Sequence, residues 1–310
     1  MIQASIDLGT NTCLLLVRDT SGNVLHDESS VVRLGEGVAS TGILKEEAMK
    51  RARECIERYV ATAAKLGVSA DQIVAVGTAQ ARDAKNAATF FSELEAVLGV
   101  RFRILSGDEE ARATFIGAAL PGISTSRMVV MDIGGGSTEL VALPEGARSI
   151  LGTSLGIGAV KITEKFLSSN PVTDAEFWEA WEAIDRELSI LLPWREELDR
   201  KIKGEPVFIA VAGTAVTLAM IQSGQAEYDR SLLDGFELTK GDVHRLVEEL
   251  KWRSVEERRA MVGMESKRAD VILAGALIFW RVMEKLRFQR VRISTRGLRY
   301  GVLDPALPLA

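Results

Sequence analysis

An apolar run ending in aspartate, three glycines, two hydroxyl residues, a glutamate and a second apolar run make up Met128 to Ala142, MVVMDIGGGSTELVA. Glycines let backbone N–H groups approach an anion with no Cβ in the way. Hydroxyls donate to phosphate oxygens, and an aspartate at a strand end can hold Mg²⁺. The segment therefore reads as strand, phosphate-sized turn, strand. Gly134, Gly135, Gly136, Ser137 and Thr138 are candidate phosphate contacts, and Asp132 and Glu139 candidate metal ligands. The same residue types also build tight hairpins that bind nothing.

The chain writes this pattern twice. Ile6 to Val17, IDLGTNTCLLLV, matches Asp7 to Asp132, Gly9 to Gly134 and Thr12 to Ser137. A second pair, IVAVGTA at Ile73 to Ala79 and IAVAGTA at Ile209 to Ala215, recurs in the same order. The offsets, 125 and 136 residues, are close enough to imply duplicated domains that face each other across a cleft. Asp7 thus joins the metal candidates, and Thr10 and Asn11 the phosphate contacts. Arg82, after the Gly77-Thr-Ala79 turn, could fork onto phosphate oxygens or pair with Asp83 beside it. Glu110 follows Asp108 and Glu109 at a helix start. There it could act as a base whose pKa is raised by its acidic neighbours, or serve as capping charge.

The elements that must position these residues follow from periodicity. Three strands, 2 to 8, 12 to 19 and 23 to 34, open the chain. A helix from Glu46 to Leu66, a strand from Gln72 to Val76, a helix from Asn86 to Leu98, a strand from Val100 to Leu105 and a helix to about Ala119 follow. Three strands near 128 to 133, 138 to 143 and 147 to 153 open a second half. It continues through a helical insertion from about Gly158 to Lys203, a strand at 207 to 212, and helices from about 240 to 285. Strand Arg290 to Ser294 and helix Arg296 to Leu303 close it. The predicted domains are 1–122 and 123–295, with 296–310 packed back on the first. Phe177, Trp178, Trp181 and Trp194 read as helix-interface residues.

With 310 residues, 47% hydrophobic and 26% charged, the chain has the composition of a globular protein with two cores. No apolar run nears the roughly 18 residues of a membrane helix. The N-terminus enters a strand without the features of a signal peptide, and Cys13 and Cys55 form no C-x-x-C pair. A cytoplasmic protein with reduced core thiols is expected. Two histidines, His26 and His244, support no histidine-rich metal site, and no P-loop or dinucleotide fingerprint occurs. Net charge is −5, yet Lys251 to Arg299 carries 13 Lys and Arg against 5 Asp and Glu. That segment reads either as solvated helix faces or as a surface for a phosphate polyanion. No nucleic-acid-binding motif accompanies it.

These residues together resemble the exopolyphosphatase and guanosine pentaphosphate phosphohydrolase family, nearly end to end. It belongs to the superfamily of acetate and sugar kinases, heat-shock chaperones and actin. The carriers are Asp7-Leu-Gly-Thr-Asn-Thr12, Gly77-Thr-Ala79 with Arg82-Asp-Ala84, Ser106-Gly-Asp-Glu-Glu-Ala-Arg112, Asp132-Ile-Gly-Gly-Gly-Ser-Thr-Glu139, Gly213-Thr-Ala215, Arg268-Ala-Asp270 and Ser294-Thr-Arg-Gly-Leu-Arg299. The resemblance implies an α/β fold of two ribonuclease H-like domains of the actin-like ATPase superfamily around a central cleft. It also implies Mg²⁺-dependent release of terminal phosphate from inorganic polyphosphate or a pentaphosphate nucleotide, and a homodimer. Glu110 takes the position of the catalytic glutamate, and Gly213 and Thr214 line the path of the phosphate chain. Tyr300 stands where many relatives place glutamate, and the chain stops where longer relatives continue into further helical domains. A superfamily kinase and a nucleotide-gated regulatory protein are the competing readings.

Overall fold

The structure, a computed structural model, describes residues 1–147 and 149–305, the side chain of Ala39 excepted. Contacts divide the chain into two units. The first is Met1–Gly117 with the segment from Leu298 onward, and the second is Ala118–Gly297.

In unit 1, β1 (Ile2–Leu8), β2 (Thr12–Asp19) and β3 (Val24–Val31) form an antiparallel meander. Strands β4 (Val74–Gly77) and β5 (Phe102–Ile104) join it in parallel, giving the order β3-β2-β1-β4-β5. The helices are α1 (Val38–Thr41), α2 (Glu46–Lys65), α3 (Ala79–Asp83), α4 (Ala87–Leu98) and α5 (Gly107–Gly117). Alternation along β1 assigns its faces. Ala4, Ile6 and Leu8 enter a core with Ile56 and Tyr59 of α2 and Phe90 and Leu94 of α4. Ser5 and Asp7 point to the other face, where Leu16 and Val76 pack with Ala113 of α5 and with Leu298 and Tyr300. The short helix Leu298–Gly301 lies so close to α5 that a Cβ on Gly301 would meet the Ala113 carbonyl oxygen at 1.8 Å. The C-terminal helix predicted over 296–310 is observed as this short helix; positions 306–310 lie outside the described residues.

Unit 2 also opens with an antiparallel meander, β6 (Met128–Ile133), β7 (Thr138–Ala142) and β8 (Leu151–Leu155). Beside it β9 (Val207–Val211) runs parallel to β6 and β11 (Arg290–Ile293) parallel to β9, with β10 (Glu237–Thr239) antiparallel at the edge. The helices are α6 (Ala159–Phe166), α7 (Asp174–Glu187), α8 (Leu191–Lys201), α9 (Ala212–Ser223), α10 (Arg230–Leu233), α11 (Lys240–Lys251), α12 (Val255–Arg259) and α13 (Ile272–Lys285). α13 is buried nearly all round from Ile272 to Phe279, as its apolar sequence requires, and it is the central post of the core. Trp181 packs edge-on against Trp280 at 4.8 Å, with the Arg281 guanidinium 4.4 Å from its centroid, so this ring joins helices. No helix of the described residues is long and apolar enough to cross a membrane.

Most of the basic C-terminal segment is partnered within the fold. Lys251 reaches Asp174 at 2.7 Å, Arg253 Glu249 at 2.8 Å, Arg281 Asp185 at 2.8 Å and Arg296 Asp234 at 2.8 Å. The solvated-face reading therefore holds for only part of the segment, because several of these cations are structural ties.

Candidate active site

Unit 1 holds Asp7 at the end of β1. The turn that follows is closed by the Gly9 N–H donating to the Thr12 carbonyl at 2.8 Å. Asn11 O accepts from Val32 and Arg33, and Thr10 O from Gly35, so the turn's carbonyls are tied to the segment after β3. The N–H groups of Thr10 and Asn11 donate to no backbone carbonyl among the described residues. Asp7 is buried, and burial pushes its carboxyl up to about 7; the charge of Glu110 pushes the same way and Arg299 opposes it. Arg299 is itself fixed. Its Nε and Nη2 fork onto Asp27 at 2.9 and 3.0 Å, and its carbonyl accepts from Ser5 Oγ at 2.7 Å. Tyr300 donates its hydroxyl to the same Asp27 carboxylate at 2.9 Å, a role the glutamate of the relatives could fill only if protonated.

The carboxylates at the start of α5 divide the work. Glu109 is the capping residue: its Oε2 accepts from Ser106 N and Oγ, each at 2.8 Å, and its other oxygen pairs with Arg103. Those bonds, that from the Ser106 N–H first, hold its pKa below the ordinary value. Glu110 faces inward instead. Burial raises its pKa, and hydrogen bonds from Arg82 and Thr78 pull it part of the way back. The rise thus comes from desolvation and not, as the sequence suggested, from Asp108 and Glu109. Asp108 points to solvent, and Glu109 is compensated by Arg103.

Arg82 does not pair with Asp83. Its Nη1 donates to Glu110 Oε2 and to the Leu105 carbonyl, both at 2.7 Å. Asp7 and Glu110 are two carboxyls of unit 1 with a raised pKa, and the charge of Glu110 contributes to the rise at Asp7. Such a pair marks a functional-site candidate. Sequence reasoning missed Thr78 as a partner of Glu110, although it sits in the quoted Gly77-Thr-Ala79 motif. It also missed the tie from Asp27 through Arg299 to the Asp7 face.

Unit 2 repeats the turn. The Gly134 N–H donates to Ser137 O at 2.9 Å, the counterpart of Gly9 and Thr12. Gly134 O accepts from Ala159, and Gly135 O from Val160 and Lys161, so the N-terminus of α6 carries the turn's carbonyls. Gly158 makes this possible, since a Cβ there would lie 2.5 Å from the Gly135 backbone. No backbone carbonyl among the described residues accepts from the N–H groups of Gly135, Gly136 or Ser137. Asp132 and Glu139 are direct partners across the β6–β7 ladder, and Glu139 accepts from Ser154 Oγ at 3.0 Å. The Thr138 hydroxyl, expected to contact phosphate, is fully buried and donates to Ile157 O at 2.8 Å. What Thr138 supplies is rigidity.

Gly213 and Thr214 open α9 after β9. The Arg268 guanidinium lies directly on Gly213, where a Cβ would meet its central carbon at 2.0 Å. Thr214 is buried against Gly275 of α13, so its side chain does not line a ligand path; this turn offers backbone and the Arg268 plane. Among the described residues no group of three or more His, Cys, Asp or Glu side chains could enclose a metal.

A model of the Ppx/GppA phosphatase family matches residues 15–310. Exopolyphosphatase 2 of Mycobacterium tuberculosis is 31% identical, over 99% of this chain and 98% of its own length. Among solved structures, the Aquifex aeolicus PPX-GPPA enzyme superposes with a TM-score of 0.78 at 29% identity, covering 98% of both chains. An exopolyphosphatase from Cytophaga hutchinsonii gives a TM-score of 0.86 at 26% identity, covering 99% of this chain and 98% of that one.

Proposed function

Because the chain belongs to the Ppx/GppA phosphatase family, with its actin-like ATPase fold, we propose that it releases orthophosphate from the end of inorganic polyphosphate, with Glu110 as base. The observation that carries this assignment is the division of labour at α5: Glu109 takes the capping role, and Glu110 keeps a half-buried carboxyl with a raised pKa.

Phosphoanhydride hydrolysis asks the protein mainly to neutralise charge and to place a water in line. Glu110 takes the proton of that water. Arg82 holds the carboxylate in place and, being within reach of the same group, faces the phosphate oxygens with its remaining donors. Each turn by itself offers N–H groups to phosphate oxygens, Gly135, Gly136 and Ser137 in unit 2 and Thr10 and Asn11 in unit 1. Gly213, with Arg268 laid over it, contacts a further phosphate of the chain.

The donor sets fit Mg²⁺, which takes one or two carboxylates and completes its shell with waters and substrate phosphates. Asp7 supports that fit, since a buried carboxyl beside Glu110 has unspent affinity for a cation. Asp7 in unit 1, and Asp132 and Glu139 in unit 2, are the carboxylates that would serve such an ion, which when bound would neutralise charge on phosphoryl oxygens. Guanosine pentaphosphate presents the same terminal bond and is the second substrate to try. The test is Mg²⁺-dependent phosphate release from short polyphosphate, long polyphosphate, guanosine pentaphosphate and ATP, each with and without a phosphoryl acceptor. Release from polyphosphate without acceptor is expected. Acceptor-dependent transfer alone would favour a kinase, and no turnover a regulatory role.

A further inference from the structure

Arg287 has no carboxylate tie among the described residues of the basic segment, and Arg290 and Arg292 share one, Glu237. With Arg127 and Arg195 they line a cavity of about 380 Å³ at the N-terminal ends of β9 and β11, the opposite edge of the sheet from the turns after β6 and β9. Five guanidinium groups face two carboxylates there. Glu237 pairs with Arg290 and, at 3.8 Å, with Arg292. The Arg127 Nε and Nη2 are aimed by the backbone carbonyl of Glu205, at 2.9 and 2.7 Å, which fixes the group without cancelling its charge. Arg195 is held by the Leu286 carbonyl and by Asp199 at 2.9 Å, and it lies 4.8 Å over the Phe288 ring. Phe288 stacks on Phe208 at 4.4 Å, so the cavity floor is buried and apolar, while Arg287, Arg290 and Arg292 at its rim are exposed.

Arg287 has no carboxylate within ion-pair reach among the described residues. It occupies the turn after α13 with φ of 58°, a conformation that favours glycine.

We propose that this cavity is a second anion site, separate from the glycine turns, which takes a multiply charged phosphate compound. Planar guanidinium forks match phosphate oxygens two at a time, and Asp199 and Glu237 between them leave an excess of positive charge among the five cations. A volume near 380 Å³ is that of a small-ligand site and does not suit a nucleic-acid duplex. The choice of phosphate rests on the hydrolase reading above; the excess of cations does not. Two sources share this chemistry, a distal stretch of the polyphosphate chain being cleaved and a separate phosphate-bearing effector.

Methylenediphosphonate, which cannot be hydrolysed, is the probe, titrated calorimetrically into the full chain and into Arg287→Gly. Glycine suits the left-handed turn, so this variant keeps the fold and removes one charge; Arg290→Gln is a second, independent variant. The site predicts that the probe slows amide hydrogen exchange across residues 287–292. It also predicts that each variant weakens that binding by about tenfold, the loss expected for one charged contact. Identical isotherms in wild type and both variants, or protection confined to residues 134–138, would overturn it. Kinetics then distinguish the sources. A KM raised for long polyphosphate and unchanged for tripolyphosphate indicates the same chain; an unchanged KM for both, with the binding loss retained, indicates an effector. If the protein releases phosphate from no substrate, the hydrolase reading fails while the diphosphonate result still stands or falls on its own.

Discussion

The two glycine turns share a backbone and differ in what surrounds them. In both, the first glycine donates across the turn to the residue three positions on, and aspartate is the penultimate residue of the strand before it. Around the first, two carboxyls have raised pKa values, Asp7 and Glu110, with Arg82 and Arg299 beside them. Around the second, Asp132 and Glu139 face each other across the ladder, Glu139 accepts from Ser154 Oγ at 3.0 Å, and the start of α6 holds the carbonyls of Gly134 and Gly135. The two hairpins thus share a geometry and differ in their surroundings: α3 and α5 bring Arg82 and the buried carboxyl of Glu110 to the first, and α6 buttresses the second. Chemistry resides in what later elements bring to the turn, and anion geometry in the turn itself.

The largest effect that sharpens this contrast should come from Asp7→Asn. Losing this buried carboxyl, proposed above to serve Mg²⁺, is expected to lower phosphate release by about 10²-fold or more, in the range of losing one electrostatic contact to the reacting phosphate. The Mg²⁺ concentration for half-maximal rate should rise as well. Glu139→Gln, already bonded to Ser154, should cost less. Equal losses in steady-state assays would erase the difference between the turns.

The cradle is tested by Gly158→Ala, whose new Cβ would strike the Gly135 backbone. Overpacking of this kind costs about 1–3 kcal/mol, which urea unfolding would report. Gly136→Ala has open space around it and should leave stability within about 0.5 kcal/mol of wild type. A stable Gly158→Ala protein would refute the bracing role of α6.

A smaller effect concerns ionisation in unit 1. Arg82 favours the charged form of Glu110, so Arg82→Gln should move the acid limb of the pH–rate profile to higher pH, on top of any loss in rate. An acid limb that stays in place would mean another group controls it.

The smallest effect is in unit 2. Glu176 accepts from Ser168, Ser169 and Thr173, and those bonds, the Thr173 N–H first, hold its pKa well below the ordinary value. A depressed folded-state pKa gives stability that is present above the unfolded value and lost as pH falls through the folded one. Thermal unfolding of Glu176→Gln should therefore lose less stability than wild type on acidification below the usual carboxylate range. Parallel melting curves would contradict this.

Local signals exposed the scaffold and concealed the contacts. The repeats and alternation in β1, β2, β6 and β7 mark both hairpins, because a turn's chemistry lies within a few adjacent residues. β10, three residues long, has too few positions to show a period, and it exists through pairing with β11. The predicted strand from Gln72 begins at Val74, because Ser69 caps a single 3₁₀ turn ahead of it. At the site, Glu110 and Asp7 stand out from motif position. Their pKa relations depend on Arg82, Thr78 and Arg299, up to 294 residues away in the Ser5–Arg299 contact, and no spacing rule reaches so far. Thr138 and Thr214 show the reverse: in a phosphate-like motif, one buried hydroxyl donates to Ile157 O and the other packs against Gly275.

The central claim is that Glu110, and not the carboxylate beside it, activates the attacking water. Phosphate release from short polyphosphate at saturating Mg²⁺, measured for Glu110→Gln and Glu109→Gln in parallel, tests it most directly. A fall of about 10²–10⁴-fold is expected in Glu110→Gln. Glu109→Gln should retain near wild-type turnover with a loss of about 1 kcal/mol in stability from the weakened cap. An undiminished rate in Glu110→Gln, or the larger loss in Glu109→Gln, would contradict it.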